Sequence, residues 1–186
     1  MDDATPTDPG LVGPSQRIEG ILAGFAPQLG RDAVAYGNHV RRVFGLVRAQ
    51  GPQLTADDLE QTAIAAVFHD LGVWTHHTFD YLEPSIALAA GYLDAEGLAA
   101  WGPRVHTMIL EHHKLRPYRG DPVVEWFRRA DLCDLSFGLR RSGIPRAAYR
   151  DLAAAFPSAG FHRRIAQLAT TRAITHPLRP APMMRW

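Results

Sequence analysis

One stretch of the chain, residues 59–68, constrains the fold more than any other. Its apolar residues recur at intervals of three and four, and this spacing predicts a buried helix. The helix ends at His69-Asp70, and Gly72 follows two residues later. A buried imidazole beside a buried carboxylate needs a partner for its charge, and a metal ion is the usual partner for this mixture of ligands. The alternative is a histidine that caps the helix C-terminus next to a surface aspartate.

The same helical spacing continues through the rest of the chain, whereas β alternation of useful length is missing. Helices are predicted from about residue 15 to 27, 32 to 50, 55 to 70, 83 to 96, 104 to 114, 121 to 134, 145 to 156 and 161 to 175. Residues 73–82 are predicted to form an irregular loop. The sequence therefore predicts an all-α fold with one compact domain over 15–176, a flexible segment over 1–14 and an irregular tail over 177–186.

The bulk composition excludes several classes of protein. A chain of 186 residues can build one core without disulfides, and its single cysteine, Cys133, is interpreted as a packed thiol in a cytoplasmic protein. No apolar run reaches the length of about 18 residues that a membrane span requires. The net charge of +1 gives no clear indication of nucleic-acid binding.

Residues of ligand type fall on the inward faces of several predicted helices. His39 lies on the apolar stripe of its helix, with Arg42 largely outside that stripe, and Asp131 shares a face with apolar residues of a later helix. Leaving such charges buried and unpaired would cost several kcal/mol each, whereas one cation would neutralise two carboxylates together. We therefore interpret His39, His69, Asp70 and Asp131 as candidate metal ligands. The alternative for each histidine taken singly is a hydrogen-bonded core residue.

The order His39, His69-Asp70, Asp131 resembles the signature of the HD superfamily, which comprises all-helical metal-dependent phosphohydrolases and their relatives. The run FHDLG is similar to the central motif of that family, and ILEHHK is similar to its downstream double-histidine segment. The resemblance covers about residues 32–140 and implies that these four residues hold a divalent ion such as Mn, Fe, Mg or Zn. Asp134 competes with Asp131 as the last ligand, and the run RADLCD aligns better at Asp131.

Some members of the superfamily bind a second ion, for which a histidine before a helix-starting proline and a later His-His pair supply ligands. This chain has Glu83-Pro84 and then His112-His113. The resemblance thus implies a second site formed by Glu83, His112 and a bridging Asp70, with His113 as a further candidate. The alternatives are that Glu83 is a carboxylate favoured by a helix N-terminus and that the histidine pair orients ligands or binds substrate.

The chain also departs from the family pattern. Many hydrolase members have Glu or Lys three residues after the aspartate of the His-Asp pair, where this chain has Val73. An acid or base carried over from that position is missing. The predicted catalytic residues are therefore Asp70, His112 and His113, which would act with a metal-activated water.

Positive charge follows the double histidine. Lys114, Arg116 and Arg119 are predicted to hold phosphate, and His77 is predicted to contact substrate from the loop after the His-Asp pair. The alternative is a solvated basic loop. Three further histidines are predicted to be solvated: His106, His162 and His176.

The predicted activity is hydrolysis of a small phosphate ester or nucleotide, with one or two divalent ions as cofactor and a homodimer as a possible assembly. Two alternatives stay open. One is a di-iron oxygenase of HD type acting on a small polar substrate. The other is a non-catalytic module that keeps the metal and binds a ligand.

Overall fold

The computed structural model of the protein describes residues 13–51 and 53–178, and within them it contains helices and no strand. The all-α prediction is confirmed. The helices are α1 (Pro14–Gly24), α2 (Ala26–Leu29), α3 (Ala33–Gln50), α4 (Ala56–Phe68), α5 (Gly72–Thr75), α6 (Leu82–Ala95), α7 (Gly102–Glu111), α8 (Pro122–Leu135), α9 (Arg146–Ala155) and α10 (Phe161–Thr175). The predicted segments 1–14 and 177–186 lie largely outside the described residues. In the described part of the chain, no helix combines the length and the hydropathy that crossing a membrane would require.

Helix α4 is the centre of the fold. It begins with a capping box in which the Thr55 side chain accepts from the Asp58 amide while the Asp58 carboxylate accepts from the Thr55 amide. All of its residues from Glu60 to Phe68 are buried. Helices α1, α3, α6, α7 and α8 pack around it. Because α4 is enclosed on every side, whatever follows its last turn is delivered into the interior.

Helix α3 packs against α4 and α8 and buries more of its circumference than the apolar stripe predicted. Arg42 was expected largely outside that stripe, and this is wrong, since the residue is only 2% exposed. Its guanidinium is buried because it pairs with Asp134 of α8, which supplies the opposite charge.

The segment 73–82 is only partly irregular. A one-turn helix, α5, forms at its start because Val73 and Trp74 have a core to pack against. The indole of Trp74 lies 4.6 Å from the Tyr36 ring, centroid to centroid, and its Nε1 donates to Asp32 Oδ2 at 3.0 Å. The prediction of a loop over the whole segment was therefore too broad.

The last two helices are less buried than the others. No residue of α9 is buried, and Phe161 is the one buried residue of α10. Phe161 anchors the start of α10 to α3, and the rest of α10 runs along the surface.

Candidate metal centre

Five buried side chains from four parts of the chain meet at one point, which we call the ligand cluster. Its members are His39 of α3, His69 and Asp70 after α4, His112 after α7 and Asp131 of α8. Each is at most 3% exposed. Three overlapping groups of ligand atoms lie within 4.8 Å of one another: His39, His69 and Asp131; His69, Asp70 and His112; and His112, His113 and Asp131. The arrangement brings together residues up to 92 positions apart.

The separations between ligand atoms suit a shared ion. His39 Nε2 lies 3.0 Å from His69 Nε2 and 3.6 Å from Asp131 Oδ1. His69 Nε2 lies 3.4 Å from Asp70 Oδ2 and 3.7 Å from Asp131 Oδ1. Ligands that each lie about 2.1 Å from a tetrahedral ion are about 3.4 Å apart. The observed spacings lie around that value.

The histidine rings are oriented through their other nitrogen. His69 Nδ1 donates to the carbonyl of Ala66 at 2.8 Å, and His112 Nδ1 donates to the carbonyl of Ile109 at 2.6 Å. Each ring thus uses a free carbonyl three residues back in the last turn of its own helix. A proton on Nδ1 leaves the lone pair on Nε2, which faces the cluster.

His39 is oriented by side chains instead. Its Nδ1 donates to Asp134 Oδ2 at 2.7 Å, and Arg42 grips the same carboxylate through Nε at 2.6 Å and Nη2 at 2.8 Å. The ring of Phe161 stacks on the imidazole with centroids 4.0 Å apart. His39 Nε2 therefore also points its lone pair inward. Two lone pairs 3.0 Å apart, on His39 and His69, repel each other unless a cation or a proton lies between them.

Four atoms of the cluster make no hydrogen bond within the described residues although they are buried. They are Asp70 Oδ1, His112 Nε2 and both carboxylate oxygens of Asp131. Buried polar atoms in proteins are normally paired, and an unpaired one is expensive. The donor set, the inward lone pairs and the unpaired oxygens together fit a divalent ion.

The electrostatics of the cluster are those of a cation site. Burial alone would lower the pKa of His69, but the negative charges of Asp70 and Asp131 raise it to about 9. Burial opposes ionisation of Asp70, yet the facing histidines hold its pKa well below its usual range. The pKa of Asp131 is lowered in the same way. The point where these side chains meet thus favours positive charge.

Asp70 presents its two oxygens to different pairs of histidines. Oδ2 faces His69 at 3.4 Å and His39 at 3.8 Å, while Oδ1 faces His112 at 3.4 Å and His113 at 4.0 Å. A carboxylate that lies between two sets of nitrogen ligands has the placement of a bridge between two ions.

His113 and Tyr81 form the edge of the site. The Tyr81 hydroxyl and His113 Nε2 are hydrogen-bonded, and the His113 side chain is 15% exposed, more than any member of the ligand cluster. Burial and the neighbouring His112 lower the pKa of His113 to about 3, so that its imidazole is neutral. Burial, reinforced by the charge of Asp70, raises the pKa of Tyr81 well above its usual value. The phenol is therefore the proton donor in this pair.

Gly72 explains how Tyr81 reaches the edge. A Cβ at this position would lie 2.6 Å from the carbonyl oxygen of Tyr81, and the Gly72 amide donates to Ser85 Oγ at 3.0 Å. The glycine that ends FHDLG thus allows the backbone before α6 to approach the turn that carries Asp70.

Five other residues predicted for the site lie outside the three ligand groups. Glu83 is exposed and belongs to none of the three ligand groups found among the described residues. Lys114 is bonded to Glu111 at 2.7 Å. Arg116 and Arg119 are exposed in the connection between α7 and α8, and His77 is exposed with a positive φ of 49°.

Several contributors were missed by sequence reasoning. Arg42, through Asp134, and Phe161 fix the orientation of His39, and Tyr81 is hydrogen-bonded to His113. The sequence pattern points to metal-ligand residues on the apolar faces of helices, and these three residues do not meet that description. Asp134 was predicted only as an alternative metal ligand to Asp131, but its carboxylate instead accepts from His39 Nδ1, the ring nitrogen that faces away from the ligand cluster. The one sequence signal was its spacing of three residues from Asp131, which puts both carboxylates on one face of α8.

His162 and Cys133 lie beside the ligand-orienting Asp134. His162 was expected to be solvated, and this is wrong, because its Nε2 donates to the carbonyl of Asp134 at 2.9 Å and its ring stacks on Phe137. Cys133 is a packed thiol as predicted: it is fully buried, and burial together with the charge of Asp134 raises its pKa to about 11.

Comparisons of the chain with protein-family models, with curated proteins and with solved structures found no match. The resemblance to the HD superfamily therefore stays a prediction from the sequence, and the function is argued from the geometry of the site.

Proposed function

We propose that the protein is a metal-dependent phosphohydrolase of HD type that acts on a small phosphate ester or nucleotide. One observation carries the proposal: three histidine Nε2 atoms and two carboxylates converge in the core with their lone pairs inward and four atoms unpaired. Mixed imidazole and carboxylate donors suit Mn, Fe or Zn better than Mg. His39, His69, Asp70 and Asp131 would hold the first ion.

A divalent ion at this position would supply a bound water whose pKa is lowered toward neutrality. The chain's own residues would do the remaining work. The two oxygens of Asp70 face different histidine pairs, so this carboxylate would orient a ligand that lies between them. The Tyr81 hydroxyl donates to His113, and this bond holds the neutral imidazole at the edge of the site, where it would position a bound substrate.

A substrate would approach past His113, since its side chain is the most accessible part of the site. The segment after it, residues 114–121, carries Arg116 and Arg119, whose exposed guanidinium groups make no hydrogen bond or ion pair with the described residues. Such groups are available to bind phosphate oxygens. This is the support for a phosphorylated substrate.

The test is a metal analysis of gently purified protein, followed by a screen for phosphate release from nucleotides and sugar phosphates with each candidate ion. We expect at least one equivalent of metal and phosphate release that Asp131→Asn abolishes. Glu60→Gln is a matched control, because it also removes a buried negative charge but lies outside the ligand cluster. Metal binding without turnover on any phosphate substrate would contradict the hydrolase.

A di-iron oxygenase is the second candidate, and the placement of Asp70 between two histidine pairs favours it. Val73 in the position where many hydrolases have a charged residue favours it as well. Two equivalents of iron, visible absorption and oxygen consumption with substrate would select this candidate over the hydrolase. Cytoplasmic location and homodimer formation stay predictions beside either activity.

A further inference from the structure

A cavity of about 500 Å³ lies between α10 on one side and α5 with the segment after it on the other. Pockets that bind small molecules typically have volumes of about 300–1,000 Å³. None of the five members of the ligand cluster lines this cavity. Trp74 and Tyr36 separate the two, because Trp74 lines the cavity and Tyr36 lies between it and His39.

Apolar side chains line the cavity from both sides: Trp74 and Phe79 from one side and Leu168 of α10 from the other. The indole of Trp74 is held in place by its hydrogen bond to Asp32 and its contact with Tyr36. Trp74 is only 5% exposed and Phe79 is half-buried, so more of the aromatic surface that a planar ligand can contact comes from Phe79 than from the fixed indole.

The cavity is also lined by positively charged side chains. Arg31, Arg164 and Arg172 line the cavity, and Asp32 is the one acidic residue among its lining residues. Asp32 accepts from Arg164 Nε at 3.0 Å, which fixes the guanidinium, while the two terminal nitrogens of Arg164 make no hydrogen bond within the described residues. These nitrogens are donors suited to a carboxylate, phosphate or sulfonate.

The surrounding part of the chain strengthens the attraction for anions. Residues 137–178 contain seven arginines and a single acidic residue, Asp151, although the whole chain has a net charge of only +1. Such a one-sided distribution creates a positive potential over the part of the surface that these residues form.

We propose that this cavity is a binding site for a small organic anion with a flat, aromatic body. The anionic group contacts Arg164 and Arg31, and the ring lies against Trp74 and Phe79. The proposal does not depend on the function proposed for the ligand cluster. The cavity binds its ligand whether or not a metal is bound at the ligand cluster.

The test uses anilinonaphthalene sulfonate, a fluorescent aromatic anion, titrated into the full chain and followed by fluorescence and calorimetry. We expect saturable binding of one molecule per chain. Arg164→Gln is expected to weaken this binding about tenfold, the loss of one charge-assisted contact. Thr171→Phe, which fills the cavity from α10, is expected to abolish it.

Arg163→Gln is the matched control, because Arg163 precedes Arg164 on the same helix, is exposed and does not line the cavity. It should change the affinity by less than about twofold. The neutral analogue N-phenylnaphthylamine should bind more weakly and should not respond to Arg164→Gln. Should Arg164→Gln fail to fold because Asp32 keeps only its bond from Trp74, Arg31→Gln replaces it, since Arg31 makes no hydrogen bond with the described residues.

Competition then identifies the anionic group. Displacement of the dye by benzoate points to an aromatic carboxylate, and displacement by adenosine monophosphate points to a nucleotide. Equal weakening by Arg163→Gln and Arg164→Gln, many dye molecules per chain, or failure of both competitors to displace the dye would overturn the proposal.

Discussion

Two groups of buried charges in this protein differ in one respect. The first, which we call the closed cluster, consists of Arg17, Glu60 and Tyr92; Arg17 donates to the Glu60 carboxylate and, at 2.8 Å, to the Tyr92 hydroxyl. The second is the ligand cluster, where neither carboxylate oxygen of Asp131 makes a hydrogen bond within the described residues. Arg17 and Glu60 are 6% and 3% exposed, close to the values in the ligand cluster.

Burial of charge therefore does not distinguish a functional site from a structural one. In the closed cluster, positive and negative groups are matched and their hydrogen bonds are made internally. In the ligand cluster, two carboxylates face three imidazoles with their acceptor atoms unpaired. Single unpaired buried atoms also occur at Gln50 and Thr62, so it is the convergence of several unpaired donors and acceptors at one point that indicates where an external ligand belongs.

Asp131→Asn should separate the two clusters most strongly. The amide removes a negative charge and a ligand, so we expect metal content to fall at least tenfold and activity by about a thousandfold or more. The thermal stabilisation by metal should vanish too; in the parent it should reach about 2.7 kcal/mol at a metal concentration of about 100 times Kd. Metal analysis and melting with and without added ion measure both effects.

Equal metal content in the parent and in Asp131→Asn would remove the contrast between the two clusters. Asp151→Asn, an exposed change on α9, controls for the loss of one negative charge.

The second prediction separates a ligand from the residue that orients it. Asp134→Asn should weaken metal affinity by about 10- to 100-fold, because an amide has one acceptor oxygen where the carboxylate has two and cannot serve both His39 Nδ1 and the Arg42 guanidinium. The number of ions bound at saturation should stay that of the parent, unlike in Asp131→Asn. A calorimetric metal titration reports affinity and stoichiometry together, and a loss of stoichiometry would make Asp134 a ligand.

The third prediction concerns the closed cluster. Glu60→Gln should lower the free energy of unfolding by about 2 kcal/mol, because Arg17 is left as a buried charge with a weaker partner. Metal content and the metal-induced rise in stability should be unchanged. Urea unfolding with and without metal tests this, and a loss of metal binding would show that the two clusters are coupled.

The smallest expected effect depends on pH. Glu125 accepts from Arg128, from Arg129 and from the Tyr118 amide, and although burial opposes its ionisation, these contacts lower its pKa to about 2. A lowered pKa in the folded state stabilises the protein above the unfolded pKa, and this contribution is lost as pH falls.

Glu125→Gln should therefore reduce the free energy of unfolding by about 1–2 kcal/mol above pH ~5, and the difference from the parent should shrink as pH falls from ~5 to ~2. Urea unfolding across this range measures the difference. A gap that widens on acidification would contradict the assignment.

How far the sequence predicts this molecule depends on the range of the interaction. The helices were predictable, since apolar spacing and caps such as Thr55 act locally. The inward placement of His39, His69 and Asp131 was predictable for the same reason. The burial of Arg42 was not, because the partner that allows it, Asp134, lies 92 residues away.

The same limit applies to the edge of the site. Glu83 was expected near the metal from its position before a proline, but it is on the exposed side of α6. Tyr81, two residues earlier, is the one that contacts His113. Which of two nearby residues faces the interior follows from the close approach at Gly72, which is a tertiary contact and leaves no local pattern.

The tethering of His69 and His112 to carbonyls of their own helices has a consequence for how the protein acquires its structure. Each ring is aimed by the single turn that carries it, so its direction is set as soon as that turn forms. His39 depends on Asp134 and Arg42 and gains its direction only after α3 and α8 have docked. A change that loosens the contact between α3 and α8 would therefore misdirect His39 and leave the other two rings aimed at the site.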